Sequence, residues 1–215
     1  MKIAVIGTGG VGQTIGSKLV QLGHEVMMGS RDTANEKGLA WVKATGERAS
    51  LGTFADAARF GEIAFNCTAG RGSIPALTAA AAGLGGKLVI DIANPLDFSK
   101  GMPPSLFTST SESLGEQAQQ LLTTSHVVKA LNHVNAGLMV DAKQVADGDH
   151  DALICGNDAG AKARVSELLK DWFGWQRVID LGDITASRAM EHYLALWLRL
   201  MGSLGTFKFS LKVVK

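Results

Sequence analysis

The sequence has few cysteines, few prolines and almost no excess charge, and these shortages exclude several classes of protein. Two cysteines in 215 residues are too few for a disulfide scaffold. The formal net charge of +1 provides no electrostatic basis for binding nucleic acid or an anionic membrane. The most apolar stretch, residues 194–204, is interrupted by Arg199 and Gly202, so no run of about 18 apolar residues is present. We therefore expect a globular protein that binds neither nucleic acid nor a membrane.

The two cysteines also bear on metal binding and on the cellular compartment. Cys67 and Cys155 each lie inside an apolar, strand-like run, which predicts buried hydrophobic side chains rather than a disulfide or a metal pair. No other cluster of metal ligands is visible, so we expect no metal site. The first predicted strand begins at residue 2 and leaves no room for a signal peptide. These features favour a cytoplasmic protein.

Glycine, in contrast, is abundant, and three glycines near the start form a G-x-G-x-x-G motif. An apolar strand from Ile3 to Ile6 precedes the motif, and a helical pattern beginning at Val11 follows it. This strand–turn–helix context is the one in which the motif indicates dinucleotide binding. The first glycine allows the tight turn, the second lets a pyrophosphate approach the backbone, and the third lets the helix pack on the strand. The predicted pyrophosphate-binding residues are Gly7, Thr8, Gly9, Gly10, Val11 and Gly12.

The end of the second strand predicts which dinucleotide is bound. NAD sites usually carry an acidic residue there for the ribose 2′-hydroxyl, but this sequence reads Gly29-Ser30-Arg31-Asp32. Arginine is always charged and is suited to bidentate phosphate contacts, so Arg31, with the hydroxyls of Ser30 and Thr8, predicts a 2′-phosphate site and hence NADP(H). Two alternatives are that Arg31 and Asp32 form a solvated turn pair, or that Asp32 binds the 2′-hydroxyl.

The remainder of the chain predicts an α/β fold. Strands that are continuously apolar alternate with helices as far as residue 131, which is typical of a Rossmann-type, doubly wound parallel sheet covered on both faces. The pattern then changes, and we divide the chain into an NADP-binding domain, residues 1–140, and a small C-terminal α+β lobe, residues 141–215. The last helix, beginning near Asp183, is apolar over most of its circumference and so must be covered, either by the rest of the lobe or by a second subunit.

Several segments together resemble the family of F420-dependent NADP oxidoreductases and the related reductase domains of the STEAP ferric reductases. The segments, in chain order, are GTGGVG, GHEVMMGSRD, VVKALNHVNA, LICGND and LWLRLMG. The resemblance implies that Thr8, Ser30 and Arg31 contact the 2′-phosphate. It also implies a homodimer and direct hydride transfer between the nicotinamide and a deazaflavin ring. The loops at residues 66–72 and 94–97 depart from the family pattern, which leaves the second substrate open.

Candidate substrate-site residues follow from the rule that ligands bind at the carboxyl ends of parallel strands. Thr68 and Asn94 follow two such strands and are predicted to contact the cofactor. His133 is the one candidate for proton transfer, although a hydrogen bond to a loop carbonyl is the favoured interpretation. Arg71 is either a contact for an anionic substrate or a solvated loop charge. The tryptophans at helical spacing, Trp172, Trp175 and Trp197, favour core packing over ring stacking with a ligand.

Three functions compete. The favoured one is an NADP(H)-dependent oxidoreductase that exchanges hydride with F420 or a flavin-like acceptor. This transfer needs positioning and exclusion of water more than an acid or base, and no catalytic pair is visible in the sequence. The second is an NADPH-dependent reductase of a small imine, carbonyl or ferric substrate. The third is an NADPH sensor without turnover. In each case we expect small-molecule partners.

Overall fold

The computed structural model describes all 215 residues, and helices alternate with strands along most of the chain. The ten strands are β1 Lys2–Ile6, β2 Glu25–Ser30, β3 Ala49–Thr53, β4 Ile63–Asn66, β5 Leu88–Asp91, β6 Leu96–Asp97, β7 Ser105–Leu106, β8 His126–Ala130, β9 Asp151–Gly156 and β10 Arg177–Asp180. The eight helices are α1 Gly10–Gln21, α2 Glu36–Thr45, α3 Phe54–Phe60, α4 Gly70–Leu84, α5 Leu114–Leu121, α6 Ala136–Met139, α7 Ala159–Phe173 and α8 Ser187–Leu204.

Helices cover both faces of the central sheet. Strand β1 shows why, since its side chains alternate between two separate cores. Ile3 and Val5 belong to a core that includes residues of α1, α2 and α7, whereas Ala4 and Ile6 belong to a second core with residues of α3, α4 and α5. All four side chains are fully buried. The predicted α/β, doubly wound fold is confirmed.

The order of the strands places a crevice beside the glycine motif. The eight-stranded sheet has the order β10-β9-β8-β5-β4-β1-β2-β3. The chain runs outward in one direction from β1 through β2 to β3, and in the other from β4 through β5 to β8, all in parallel. Strand order therefore reverses between β1 and β4. The carboxyl ends of these strands are where a doubly wound sheet binds its ligand.

The C-terminal part of the chain extends this sheet and does not form one of its own. Strand β9 pairs antiparallel with β8, and β10 then pairs parallel with β9. The strands on the two sides of the boundary expected near residue 140 thus belong to one sheet. The pairing of β8 with β9 is the one antiparallel pairing in this sheet. The sequence did not predict it, because an apolar strand has the same pattern in either direction.

Two further elements follow β4 and β5. Helix α4 begins at Gly70, so the glycine-rich run that precedes Ile74 is helical. Strands β6 and β7 form a small antiparallel hairpin between β5 and α5. None of the helices combines the length and the apolar character needed to cross a membrane.

Candidate functional site

The glycine motif forms the tight turn between β1 and α1. Gly7 has φ +116°, a left-handed conformation that favours glycine, and a Cβ there would lie 2.9 Å from the carbonyl oxygen of Cys67. A Cβ on Gly12 would collide with the carbonyl oxygen of Gly7. Gly9 faces open space, since a Cβ there would meet no atom within 4 Å. The turn thus leaves the first N–H groups of α1 accessible to an anion, and this helix has no acidic residue in its first turn.

A cavity of about 720 Å³ runs from the glycine turn to the end of β2. Gly7, Thr8 and Gly9 line it at one side, and Ser30 and Arg31 line it at the other. Arg31 is exposed, and the structure gives it no carboxylate partner. The structure therefore brings three of the six predicted pyrophosphate residues, Gly7, Thr8 and Gly9, and the predicted 2′-phosphate residues to one cavity, with a free guanidinium at its edge. Gly10 and Val11 begin α1 beside this turn.

The polar side chains of the turn after β2 form hydrogen bonds within the turn. The carboxylate of Asp32 accepts a hydrogen bond from the N–H of Ala34 at 2.7 Å and does not pair with Arg31. Ser30 is buried, and its hydroxyl donates to the carbonyl oxygen of Asp32, so its hydrogen is already used inside the turn. The predicted contact of Ser30 with phosphate thus has only the oxygen lone pairs available in this conformation. Asp32 therefore stabilises the turn that contains the exposed Arg31.

Lys37, in the first turn of α2, is a second cation of this cavity. It lies six positions after Arg31 and was not among the predicted residues. A lysine in the first turn of the helix that follows the second strand is the sequence signal that points to it. Together, Lys37 and Arg31 supply two positive side chains at the end of the cavity beside β2.

A second cavity, of about 420 Å³, adjoins the first and is lined mainly by apolar side chains. Four residues line both cavities: Cys67, Thr68, Ala69 and Arg71. The second cavity also contains Val11, Asn94, His133 and Trp197 among its lining residues. Trp197, expected in the core, therefore faces this cavity and stacks on Phe209 with ring centroids 5.3 Å apart. Trp175, at 1% exposure, is a core residue as expected.

Asn94 is held in place by reciprocal hydrogen bonds. Its Nδ2 donates to the carbonyl oxygen of Asn132 at 2.8 Å, and its Oδ1 accepts from Nδ2 of Asn132 at 2.9 Å. Asn132 also donates to the carbonyl oxygen of Met190 on α8, at 3.0 Å. This pair joins the loop after β5, the loop after β8 and the last helix at one wall of the second cavity.

A buried charge network lies beneath the second cavity, and it was not predicted from the sequence. Lys129 on β8 is fully buried and donates to Asp91 at 2.9 Å and to Glu191 at 2.7 Å. Glu191, on α8, also accepts from the N–H groups of Leu114 and Gly115 at the start of α5. Burial acts to lower the pKa of Lys129, but the charges of Asp91 and Glu191 and their hydrogen bonds outweigh it, so the pKa is raised. Lys129 is therefore a stable ammonium ion.

The sequence did contain a signal for this network. Lysine, aspartate and glutamate are almost never fully buried unless they are paired. Lys129 interrupts the apolar run HVVKAL, and Asp91 interrupts KLVIDI. Two opposite charges in neighbouring apolar strands predict a buried ion pair, which is what the structure contains.

His133 lies in an enclosed position. It is 1% exposed, its Nε2 is 3.4 Å from the carbonyl oxygen of Asp151, and its Nδ1 has no partner. Burial, together with the nearby His150, lowers the pKa of His133 to about 4, against an opposing contribution from the Asp151 carbonyl. The ring is therefore neutral at pH 7. The contact with a backbone carbonyl is the one we favoured, and proton transfer by His133 stays a prediction that this environment does not favour.

Arg71 fastens the β6–β7 hairpin to α4. Its guanidinium pairs with Asp97 at 2.7 Å and lies over the ring of Phe107, 5.0 Å from the ring centroid. A hydrogen bond from Ser99, with those from Arg71, lowers the pKa of Asp97 to about 2. Arg71 is neither a free anion contact nor a purely solvated charge. It holds the segment that forms one side of the second cavity.

Comparisons with known proteins identify the family of the chain. Residues 2–95 match the family described as "NADP oxidoreductase coenzyme F420-dependent". The chain is 30% identical, over 89% of its length and 88% of the relative, to the F420-dependent NADP reductase of Methanocaldococcus jannaschii. The chain belongs to the family of F420-dependent NADP oxidoreductases. The predicted family and the predicted oxidoreductase class are thereby confirmed.

Other relatives differ in how much of the chain and of their own length they share. A solved structure from Arthrobacter sp. FB24, provisionally named an F420-dependent NADP reductase, is 49% identical, with complete coverage of both chains and a TM-score of 0.94. The metalloreductase STEAP3 of Rattus norvegicus is 27% identical over 94% of this chain but only 37% of its own length. A reductive aminase of Aspergillus terreus has a TM-score of 0.65 at 17% identity, which shows a shared fold alone.

Proposed function

We propose that the chain is an NADP(H)-dependent oxidoreductase that transfers hydride between the nicotinamide and a deazaflavin (F420) or flavin-like acceptor. The observation that carries the proposal is the pair of adjoining cavities. One is lined by the glycine turn and Arg31, the other mainly by apolar side chains, and residues 67–69 line both. A dinucleotide that spans the boundary has its phosphates in the first cavity and its nicotinamide in the second.

The first cavity suits the adenosine and diphosphate groups of NADP(H). The N–H groups at the start of α1 and the positive end of its dipole bind the diphosphate. Gly9 leaves room for the phosphate, since nothing lies within 4 Å of where its Cβ would be. Arg31 and Lys37 supply the positive charge for the 2′-phosphate, and no carboxylate neutralises Arg31. The residues present therefore fit NADP(H) better than NAD(H).

The second cavity suits hydride transfer between two rings. NADPH supplies the hydride when it is bound, and the apolar lining excludes water from the transfer. His133, the one titratable imidazole in the lining, is neutral and enclosed, and the lysine beneath the cavity is locked between two carboxylates. A reaction that needs orientation and dryness fits this lining better than one that needs a strong acid.

The deazaflavin acceptor is favoured by the names of relatives at 29% and 30% identity, which are F420-dependent NADP reductases. The imine and carbonyl alternative has support only from structures that share the fold. We keep the expected homodimer as part of this proposal, because Leu196 and Leu204 of α8 and the following Phe207 are each more than half exposed. Sedimentation equilibrium of the purified chain measures its mass in solution, and a monomer at micromolar concentration contradicts the dimer.

Two measurements test the proposal. First, calorimetric titrations with NADPH and NADH are expected to show a clear preference for NADPH. Second, the absorbance of NADPH is followed with one acceptor at a time: F420, FMN, FAD, a ferric chelate and a cyclic imine. Oxidation with F420 or a flavin supports the proposal. Turnover with the imine or the chelate alone supports the second function, and tight NADPH binding without any oxidation supports the sensor.

A further inference from the structure

Thr68 stands at the boundary of the two cavities and ends a directed chain of hydrogen bonds. It is half-buried and lines both cavities. The chain runs from Lys129 through Asp91 and Asn66 to the Thr68 hydroxyl, and every side chain before Thr68 is fully buried. For each hydrogen bond in this chain, the preceding hydrogen bond determines which group donates and which accepts.

The direction begins at Lys129, whose ammonium group can only donate. It donates to Oδ2 of Asp91 at 2.9 Å, and Oδ1 of the same carboxylate accepts from Nδ2 of Asn66 at 2.7 Å. The opposite orientation of the Asn66 amide would place its oxygen against a carboxylate oxygen. The second hydrogen on Nδ2 of Asn66 is donated to Oγ of Ser73 at 2.8 Å. The amide oxygen of Asn66 is therefore the atom that faces Thr68.

This orientation determines how the Thr68 hydroxyl is used. Oγ1 of Thr68 lies 2.7 Å from Oδ1 of Asn66, an atom that can only accept. The single hydrogen of the hydroxyl is therefore donated to Asn66, and only oxygen lone pairs face the cavities. Lone pairs repel a phosphate oxygen and attract a hydrogen-bond donor. The ligand group that meets Thr68 must itself carry an O–H or N–H.

We propose that Thr68 accepts a hydrogen bond from a hydroxyl of the ribose that carries the nicotinamide, and that Asn66, Asp91 and Lys129 are positioning residues for this contact. The inference rests on the proposed binding of NADP(H). In that dinucleotide the ribose connects the diphosphate to the nicotinamide. Thr68 lies at the boundary between the cavity proposed for the diphosphate and the cavity proposed for the nicotinamide. The ribose hydroxyls are the donors at that point of the molecule, whereas the diphosphate carries acceptors only.

The test compares ligands with and without this ribose. Thr68→Val removes the hydroxyl at nearly constant volume, and Thr68→Ser keeps it as the matched control. Thr68→Val is expected to weaken NADPH binding about five- to tenfold, the effect of one neutral hydrogen bond. Adenosine 2′,5′-bisphosphate lacks the nicotinamide ribose, so its dissociation constant should change less than about twofold. Thr68→Ser should bind both ligands as the wild type does.

A chemical double-mutant cycle then identifies the atom that donates. NADPH analogues that lack the 2′- or the 3′-hydroxyl on the nicotinamide ribose are titrated against the wild type and Thr68→Val. One analogue should lose the same five- to tenfold in the wild type and lose nothing further in Thr68→Val. Additive losses for both analogues, or an equal effect of Thr68→Val on NADPH and the bisphosphate, would overturn the inference.

Asn66→Ala tests the positioning role, because it keeps the hydroxyl of Thr68 but removes its acceptor. The expected result is a smaller loss of NADPH affinity, about two- to fivefold, with unchanged binding of the bisphosphate. Wild-type NADPH affinity in a folded Asn66→Ala variant, judged by circular dichroism, contradicts the role of Asn66. If this variant does not fold, the Thr68 variants decide. Failure of the wild type to bind NADPH at all refutes the proposed function instead.

Discussion

The two ends of the cleft are built in different ways. At the end proposed to bind the phosphates, called the phosphate end, the proposed donors are backbone N–H groups and exposed cations, and they lie between Gly7 and Lys37, in the turns after β1 and β2 and at the starts of α1 and α2. The end proposed to bind the nicotinamide, called the nicotinamide end, combines the loops after β4, β5 and β8 with a helix that begins at Ser187, and a buried charge network supports it. One end is local in sequence and lined in part by polar groups, and the other brings together distant residues and is lined mainly by apolar side chains.

The two ends should respond differently to substitution. Solvent screens the charge of a surface cation, so removing that cation hardly changes the free energy of unfolding. The affinity for a ligand that the cation binds is reduced. A buried charge is stable only because its partners are present, so its loss leaves the partners uncompensated. We therefore expect substitutions at the nicotinamide end to reduce stability, and those at the phosphate end to reduce affinity.

The largest effect is expected for Lys129→Met. This change leaves the carboxylates of Asp91 and Glu191 buried without a cation, and the loss of one partner of a buried pair costs about 3–5 kcal/mol. Urea unfolding monitored by fluorescence measures the change. The matched control is Lys212→Met, since Lys212 pairs with Asp149 at the exposed surface and should change stability by less than about 1 kcal/mol. Equal effects of the two substitutions would remove the basis of the comparison.

Arg31→Ala should have the next largest effect, on affinity alone. Hydrogen bonds to charged groups contribute about 1.5–3 kcal/mol, so NADPH binding should weaken about 10- to 150-fold. NADH lacks the 2′-phosphate and should bind as it does to the wild type. Arg164→Ala, at an exposed arginine of α7, is the control for the loss of a positive charge. If NADPH and NADH lose affinity equally, the 2′-phosphate assignment is wrong.

The buried imidazole of His133 makes stability depend on pH. Its pKa falls from 6.5 to about 4 in the folded chain, so the unfolded chain binds a proton more readily between these values. The contribution of His133 to the free energy of unfolding is fully present above pH 6.5 and is lost as the pH falls towards 4. Between pH 7 and pH 5 the free energy of unfolding should fall by roughly 2 kcal/mol because of this group. Urea unfolding at the two pH values should show a smaller loss in His133→Gln than in the wild type. The same loss in both would show that His133 titrates normally.

Arg71→Ala should have the smallest effect on stability, below about 1 kcal/mol, because Arg71 is two-thirds exposed. The substitution frees the β6–β7 hairpin from α4. We expect amide hydrogen exchange to accelerate at residues 96–107, with little change elsewhere. Asp97→Asn removes the other partner and should accelerate the same amides. Unaltered exchange in both variants would show that other contacts hold the hairpin.

The glycine turn and the position of Arg31 at the same cavity could be predicted because the sequence information for them is local. Strand, glycine spacing and helix lie within residues 2–21, and the basic residue follows the next strand directly. Lys37 was missed because it lies beyond that turn, inside the next helix, where a lysine is also an ordinary surface residue. The assignment of Arg31 to a 2′-phosphate remains a prediction, now with a cavity and a free guanidinium to support it.

The nicotinamide end could be predicted only in part, because its contacts are distant in sequence. Asp91 and Lys129 are 38 positions apart, and Lys129 and Glu191 are 62 apart. One sequence shows that buried charges need partners but not which ones. The direction of β9 was missed for a similar reason, since burial on both faces leaves no pattern that distinguishes parallel from antiparallel pairing. Thr68 and Asn94 were placed correctly at the strand ends, but their hydrogen bonds could not be predicted.

The carboxylate of Glu191 binds an ammonium group and the start of another helix at the same time. A fragment that ends near residue 140 would lack this carboxylate and would expose the edge of β8. Its Lys129 would lose one of its two carboxylate partners, and the first amides of α5 would lose their acceptor. We therefore expect a fragment that ends near residue 140 to be unstable, because the last helix contributes a carboxylate to the interior of the N-terminal part of the chain.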